Sequence, residues 1–103
     1  MKVITHVAVD NFIRSLEEPT AAKTLKAIDL LEEFGNLLRL PHSRSLGGGV
    51  FELRARGKRE VRLLYGFHNQ NAHIVHGFIK KTQRTPAREL GIAIRRLREL
   101  DDI

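Results

Sequence analysis

From Val50 onward the chain alternates apolar and polar residues with a period of two, and this rhythm restricts the fold more than any other feature. In VFELRAR, residues 50–56, Phe51, Leu53 and Ala55 face one way while Glu52, Arg54 and Arg56 face the other. In VRLLYGF, residues 61–67, Val61, Leu63, Tyr65 and Phe67 alternate with Arg62, Leu64 and Gly66. A third run, HIVHGFIK, starts at His73. The linkers Gly57-Lys58-Arg59 and Asn69-Gln70-Asn71 are short and rich in turn formers, as hairpins require. The middle of the chain therefore predicts a three-stranded antiparallel meander with one apolar and one charged face. Tyr65, alternating with Leu63 and Phe67, belongs to the apolar side as a packing residue.

Helical periodicity governs both flanks. In VDNFIRSL, Asp10 is placed to cap a short helix that carries Phe12, Ile13 and Leu16. Pro19 suits the first turn of a second helix, with Thr20 as a competing cap. Ala27, Ile28, Leu30, Leu31 and Phe34 then form one apolar stripe, and Gly35-Asn36 supplies the stop. After the meander, Thr85-Pro86 reads as a cap followed by a first-turn proline. The helix it opens has the stripe Leu90, Ala93, Ile94, Leu97 and Leu100. Lys2–Val7 reads as a short edge strand. Residues 37–49 read as a loop, in which Gly47-Gly48-Gly49 relieves crowding at the entry to the sheet. The predicted class is α+β: a small antiparallel meander with two N-terminal helices and one C-terminal helix on one face, as a single domain over residues 1–103.

Net charge is +6, and its placement matters more than its size. Residues 1–38 hold four basic and six acidic side chains, whereas residues 39–103 hold fourteen basic and six acidic ones. Such segregation creates a field that favours a polyanion, nucleic acid or an anionic membrane surface. With 42% hydrophobic and 29% charged residues the chain has the composition of a folded domain. The absence of cysteine excludes disulfides, thiolate metal sites and a cysteine nucleophile. No apolar run is long enough to span a bilayer and no leader pattern is present, so the expectation is a cytoplasmic protein without membrane attachment.

The positive charge is densest where the third strand ends. HGFIKKTQRTP, residues 76–86, places Lys80, Lys81 and Arg84 between a strand and the N-terminus of a helix, an end whose dipole disfavours cations. Arg54 and Arg62 flank a hairpin and fall opposite or diagonal to each other. Two guanidinium groups that close require an anion. Either Glu52 supplies it internally, or a bound phosphate does. If the segments converge, Arg54, Arg62, Lys80, Lys81 and Arg84 form one phosphate-binding rim, with Arg56, Lys58, Arg59 and Arg88 as further contacts to a nucleic-acid strand.

Other chemistry finds little support. The glycine run lacks the Gly-Lys-Ser/Thr of a P-loop and precedes a strand. His73 and His76, three apart on a strand, are expected on opposite faces, so no metal site is predicted. His76 shares a face with Lys80 and is a candidate for a minor role beside it. No serine nucleophile elbow is present.

The combination of LGGGVFELRARG, VRLLYGF and IVHGFIKKTQRTPARELGIAIRRL resembles the RelE/HigB superfamily of bacterial type II toxins, in its phage-derived host-inhibition branch. The close resemblance spans about Leu46 to Leu100, with looser agreement from Phe12. It implies a RelE-like domain that acts as a ribosome-dependent endoribonuclease, cutting messenger RNA without a metal or other cofactor. It also implies a neutralising antitoxin, often a helix-turn-helix protein, encoded beside the toxin. The family's active-face basic residues correspond to Arg54 and Arg62, and its basic residue at the end of the last strand to Lys80 or Lys81. Glu52 stands where relatives carry a second lysine, and Glu89 and Leu90 stand where some carry tyrosine or histidine. Relatives of the same fold that inhibit DNA gyrase, and a non-catalytic RNA-binding module, are the alternative readings.

For RNA cleavage by the 2′-hydroxyl, arginine is always protonated and suits a clamp on phosphate oxygens. A lysine crowded by other cations loses its proton more readily, so Lys80 or Lys81 is the candidate for proton exchange.

Overall fold

A computed structural model describes residues 1–102. The expected edge strand forms over Val3–Thr5 (β1), and the chain turns at once into the helix Val7–Arg14 (α1). The cap of α1 is His6, whose Nδ1 accepts from the Ala8 amide at 3.0 Å, not Asp10. Asp10 lies inside the first turn and accepts a hydrogen bond from Thr5 Oγ1 at 2.7 Å, which ties strand to helix.

The second helix runs Glu18–Phe34 (α2), with Pro19 in its first turn as expected. Thr20 is not its cap. It is buried, and its carbonyl accepts from Thr24 Oγ1 at 2.9 Å. Gly35 ends the helix with φ of 53° and leads into the 3-10 turn Gly35–Leu37.

The stretch expected to be a loop contains a strand, Ser43–Gly47 (β2), which pairs antiparallel with Val50–Ala55 (β3). Gly47, Gly48 and Gly49 have φ of 91°, 61° and 83°, and a Cβ at any of them would meet nothing within 4 Å. Glycine is needed there for left-handed backbone in a hairpin, and crowding plays no part. The strands Val61–His68 (β4) and Asn71–Ile79 (β5) complete a sheet of order β1-β5-β4-β3-β2. Only β1 and β5 run parallel. The meander is thus the centre of a five-stranded sheet. Of the two flanking strands, β1 was expected and β2 was not, because SRSLG lacks an apolar alternation.

Helices cover both faces of the sheet, not one. On the first, α1 and α2 bring Val9, Ala27, Ile28 and Leu31 against Leu53, Leu63, Tyr65 and Ile74. Tyr65 is buried as expected, and its hydroxyl pairs with Ser43 Oγ. On the second, the helix Ala87–Glu99 (α3) sets Ala93 onto Val50, Leu64, Val75 and Phe78. Leu90, Ile94 and Leu97 pack around them. A register shift between Leu64 and Tyr65 supplies the room: Leu64 pairs with His76, yet Tyr65 pairs with Ile74, so β5 carries one extra residue. The same bulge puts His73 (opposite Gly66) and His76 (opposite Leu64) on one face, where strict alternation predicts two. No helix among the described residues is long and apolar enough to cross a membrane.

Gly77 lies in close contact with Phe12 of α1. A Cβ there would stand 2.6 Å from the Phe12 ring and 2.9 Å from Leu63 Cδ2. Gly77→Ala is expected to destabilise the fold by about 1–3 kcal/mol through overpacking, measurable as a lower urea midpoint with unchanged slope.

Candidate functional site

The charged residues of the meander meet under the start of α3. Arg54 lies directly opposite Arg62 in the β3–β4 register, and Arg62 lies opposite Phe78, two residues before Lys80. Glu52 is flanked by Arg44 on β2 and Leu64 on β4. The Lys80 amide donates to the Glu60 carbonyl at 2.7 Å, which holds the end of β5 beside the base of β4. Sheet register thus gathers residues from four segments around one point.

That point is the Glu52 carboxylate, which is fully buried. Its Oε1 accepts from Arg54 Nε at 3.3 Å and lies 3.7 Å from Arg62 Nε. Its Oε2 accepts from the Thr85 hydroxyl at 2.5 Å. Thr85 therefore anchors the loop before α3 to the sheet, and Pro86, not Thr85, occupies the cap position. Burial works to raise the Glu52 pKa, but the Thr85 hydroxyl, Lys80, Arg62 and Arg54 together hold it below the ordinary carboxylate value.

Arg62 is only 4% exposed. It donates to the Val61 carbonyl at 3.0 Å and to Glu60 Oε1 at 3.1 Å, while its Nε is buried without a hydrogen-bond partner. Its charge acts from beneath the surface. Arg54 is more accessible and meets Glu52 through Nε, which leaves its Nη groups to a ligand. Lys80 is half-buried. Burial presses its pKa below the usual lysine value, Arg62, Arg54 and Arg44 add to the effect, and Glu52 opposes it. The cluster holds four cations against the carboxylates of Glu52 and Glu60, so its field remains positive.

The remaining basic residues take up other positions. Lys81 and Arg84 are exposed in the loop between β5 and α3, and Arg88 is exposed in the first turn of α3. Lys58 and Arg59 are exposed in the β3–β4 turn, where Gly57 packs against Lys23 of α2. Arg54 and Arg56 border a groove of about 330 Å³ together with Lys23, Lys26 and His42. Arg44, Lys23 and Lys26 are thus cations of the site region that the sequence did not single out. Arg44 was hidden in a stretch without strand pattern, and the two lysines belong to a segment whose overall charge is negative. His76 is held under α3, with Nε2 3.1 Å from Glu89 Oε2, and Arg96 donates to the neighbouring Val75 carbonyl at 2.8 Å.

Fold and site together define a class of small α+β protein: a mostly antiparallel sheet, wrapped by three helices, whose cations are assembled around one buried carboxylate. The chain belongs to the family of phage-derived Gp49-like proteins (DUF891), whose profile matches residues 11–98. The match takes in every residue of the cation cluster and leaves out β1. No curated protein matches the chain in sequence.

Proposed function

We propose that this protein is the toxin of a type II toxin–antitoxin pair of the RelE/HigB superfamily and that it cleaves messenger RNA on the ribosome. The observation that carries the reading is the half-buried Lys80 beside Arg54 and Arg62 around Glu52, a cluster whose cations outnumber its carboxylates. In the proposed reaction the 2′-hydroxyl gives its proton to solvent as its oxygen attacks the adjacent phosphorus, the 2′,3′-cyclic phosphate forms, and the bond from phosphorus to the 5′-oxygen breaks. The 5′-oxygen leaves with a proton. Arg54 clamps a non-bridging oxygen, and Arg62 adds its field from below. Lys80, a stronger acid than an ordinary lysine ammonium, protonates the leaving oxygen. Lys81, Arg84 and Arg88 follow the strand on one side, and Arg56, Lys58 and Arg59 on the other. The ribosome supplies substrate geometry, worth several orders of magnitude by positioning alone. A helix-turn-helix antitoxin is the neutralising partner in this reading.

Induction of the protein tests the proposal. Transcripts truncated within translated reading frames are the expected result. DNA breaks with intact transcripts would assign it to the gyrase-inhibiting class, and RNA bound without cleavage, on or off the ribosome, would make it a binding module. Arg54→Ala is expected to slow ribosome-dependent cleavage by roughly 10²–10³-fold, the usual loss for one donor to a developing oxyanion. Ribosome affinity should fall steeply with added salt, because each neutralised phosphate releases counterions.

A further inference from the structure

Arg54 has a second neighbourhood besides Glu52. Where α2 packs on β3, it lines a groove of about 330 Å³ whose apolar walls are Ala27 and Leu30 of the helix, Pro41 and Ala55. Lys23, Lys26, His42 and Arg56, all exposed, complete the lining, and no carboxylate takes part in it. The Arg54 amide donates to the His42 carbonyl at 2.8 Å, which holds the chain before β2 against β3. A Cβ at Gly57 would stand 2.8 Å from Lys23 Cδ and Nζ, so that side chain lies against the β3–β4 turn. Among the described residues, none of Lys23, Lys26 and Arg56 forms an ion pair with a carboxylate. Resting on the RNA reading above, we propose that this groove takes one unstacked base of the substrate strand, beside the phosphate that Arg54 clamps, and that it selects guanine.

The occupant follows from chemistry. A phosphate alone gains nothing from walls of leucine, alanine and proline, whereas a nucleobase has apolar faces and a polar edge. Bases splayed out of single-stranded RNA are held by stacking on imidazole or guanidinium planes and by hydrogen bonds to their edges. His42, Arg54 and Arg56 supply such planes here. The volume stands at the lower end of small-ligand pockets, which suits one base and not a stack of several. Lysine and arginine have only donors to offer, and guanine presents two adjacent acceptors, O6 and N7, that match them. Adenine and cytosine present an amino donor, for which the lining has neither a carboxylate nor an amide side chain. Uracil has two carbonyl acceptors, but an N–H donor separates them. An acidic peptide matches the charge and leaves the apolar walls without a flat partner. A second copy of this chain, with its net charge of +6, would bring like charges together.

The test is a methyl NMR titration of the isotopically labelled full chain with the 5′-monophosphates of guanosine, adenosine, cytidine and uridine. Inorganic phosphate and a tetraglutamate peptide serve as controls. The guanosine nucleotide is expected to shift the methyl signals of Ala27, Leu30 and Ala55 and to bind about tenfold more tightly than the other three, the discrimination of one bidentate pair. Inorganic phosphate should leave those methyl groups unmoved. The double variant Lys23→Glu/Lys26→Glu, at two exposed helix positions, should remove the preference with an unchanged melting temperature. Equal binding of all four nucleotides, no shift in the groove, or an equal response to tetraglutamate would overturn the proposal. Mapping of cut sites on ribosomes separates the groove from the toxin reading. Guanine should be enriched beside the cut, and the double variant should keep cutting without that enrichment. Cutting with no base preference, or a preference kept by the variant, would overturn the groove and leave the toxin reading standing. Selective guanosine nucleotide binding in a protein that cuts no transcript would overturn the toxin reading and support the base site.

Discussion

Lys80→Ala is expected to abolish growth inhibition on induction and to slow ribosome-dependent cleavage by roughly 10²–10⁴-fold, the range for loss of a general acid. The side chain is half-buried at the end of β5, and three arginines and its own desolvation favour release of its proton. Lys80→Arg separates the two roles a cation can play. Arginine keeps the charge but has no proton to give at working pH, so the variant should bind ribosomes normally and remain inactive. Recovery of cleavage by Lys80→Arg would reduce Lys80 to an electrostatic contact. Lys81→Ala, at an exposed position of the following loop, should weaken affinity and salt dependence with little effect on the cleavage step. Single-turnover cleavage at saturating ribosome concentration distinguishes these outcomes.

The second large effect belongs to Glu52→Gln. A buried carboxylate that engages Arg54, Arg62 and Thr85 cannot lose its charge without leaving Arg62 undercompensated, and the expected loss is on the order of 3 kcal/mol in unfolding free energy. Its pH signature has a definite sign. Because the folded state holds Glu52 below the ordinary carboxylate value of 4.5, the unfolded chain binds the extra proton as pH falls through that region. The stabilisation is complete above it and is lost toward the lower, folded value. The variant lacks this component, so its stability should fall less steeply in acid. Activity should respond as well. Glu52 opposes the depression of the Lys80 pKa, so its neutralisation lets Lys80 lose its proton at lower pH. The basic limb of the cleavage profile should then move toward lower pH. A purely structural role for Glu52 would lower the rate without moving that limb.

Much of this protein was legible because its central elements are locally encoded. Alternation in VFELRAR and VRLLYGF, the Pro19 start, the Gly35 stop and the stripe from Leu90 to Leu97 each act within a few residues, and each formed where expected. Of the flanking strands, β1 was indicated only as a short edge strand within Lys2–Val7, and β2 was not indicated at all. β2 is specified by its pairing with β3, and β1 by its parallel contact with a strand nearly seventy positions away in the chain. Capping was misassigned for a related reason. Asp10 and Thr85 are good caps locally, but Thr5 and Glu52 are better partners once the chain has folded.

Residue types and spacing alone determined that the second part of the chain would be cationic and that Arg54 and Arg62 would be neighbours across a hairpin. Only the tertiary structure decided which cations act together. Register brought Lys80 and Arg44 to Glu52, left Lys81 and Arg84 in solvent, and buried Arg62. The physical reason lies in the carboxylate. Like charges assemble only where a counter-charge is held in place, and the position of Glu52 is a property of the folded sheet and the helix laid over it, not of any one stretch of sequence.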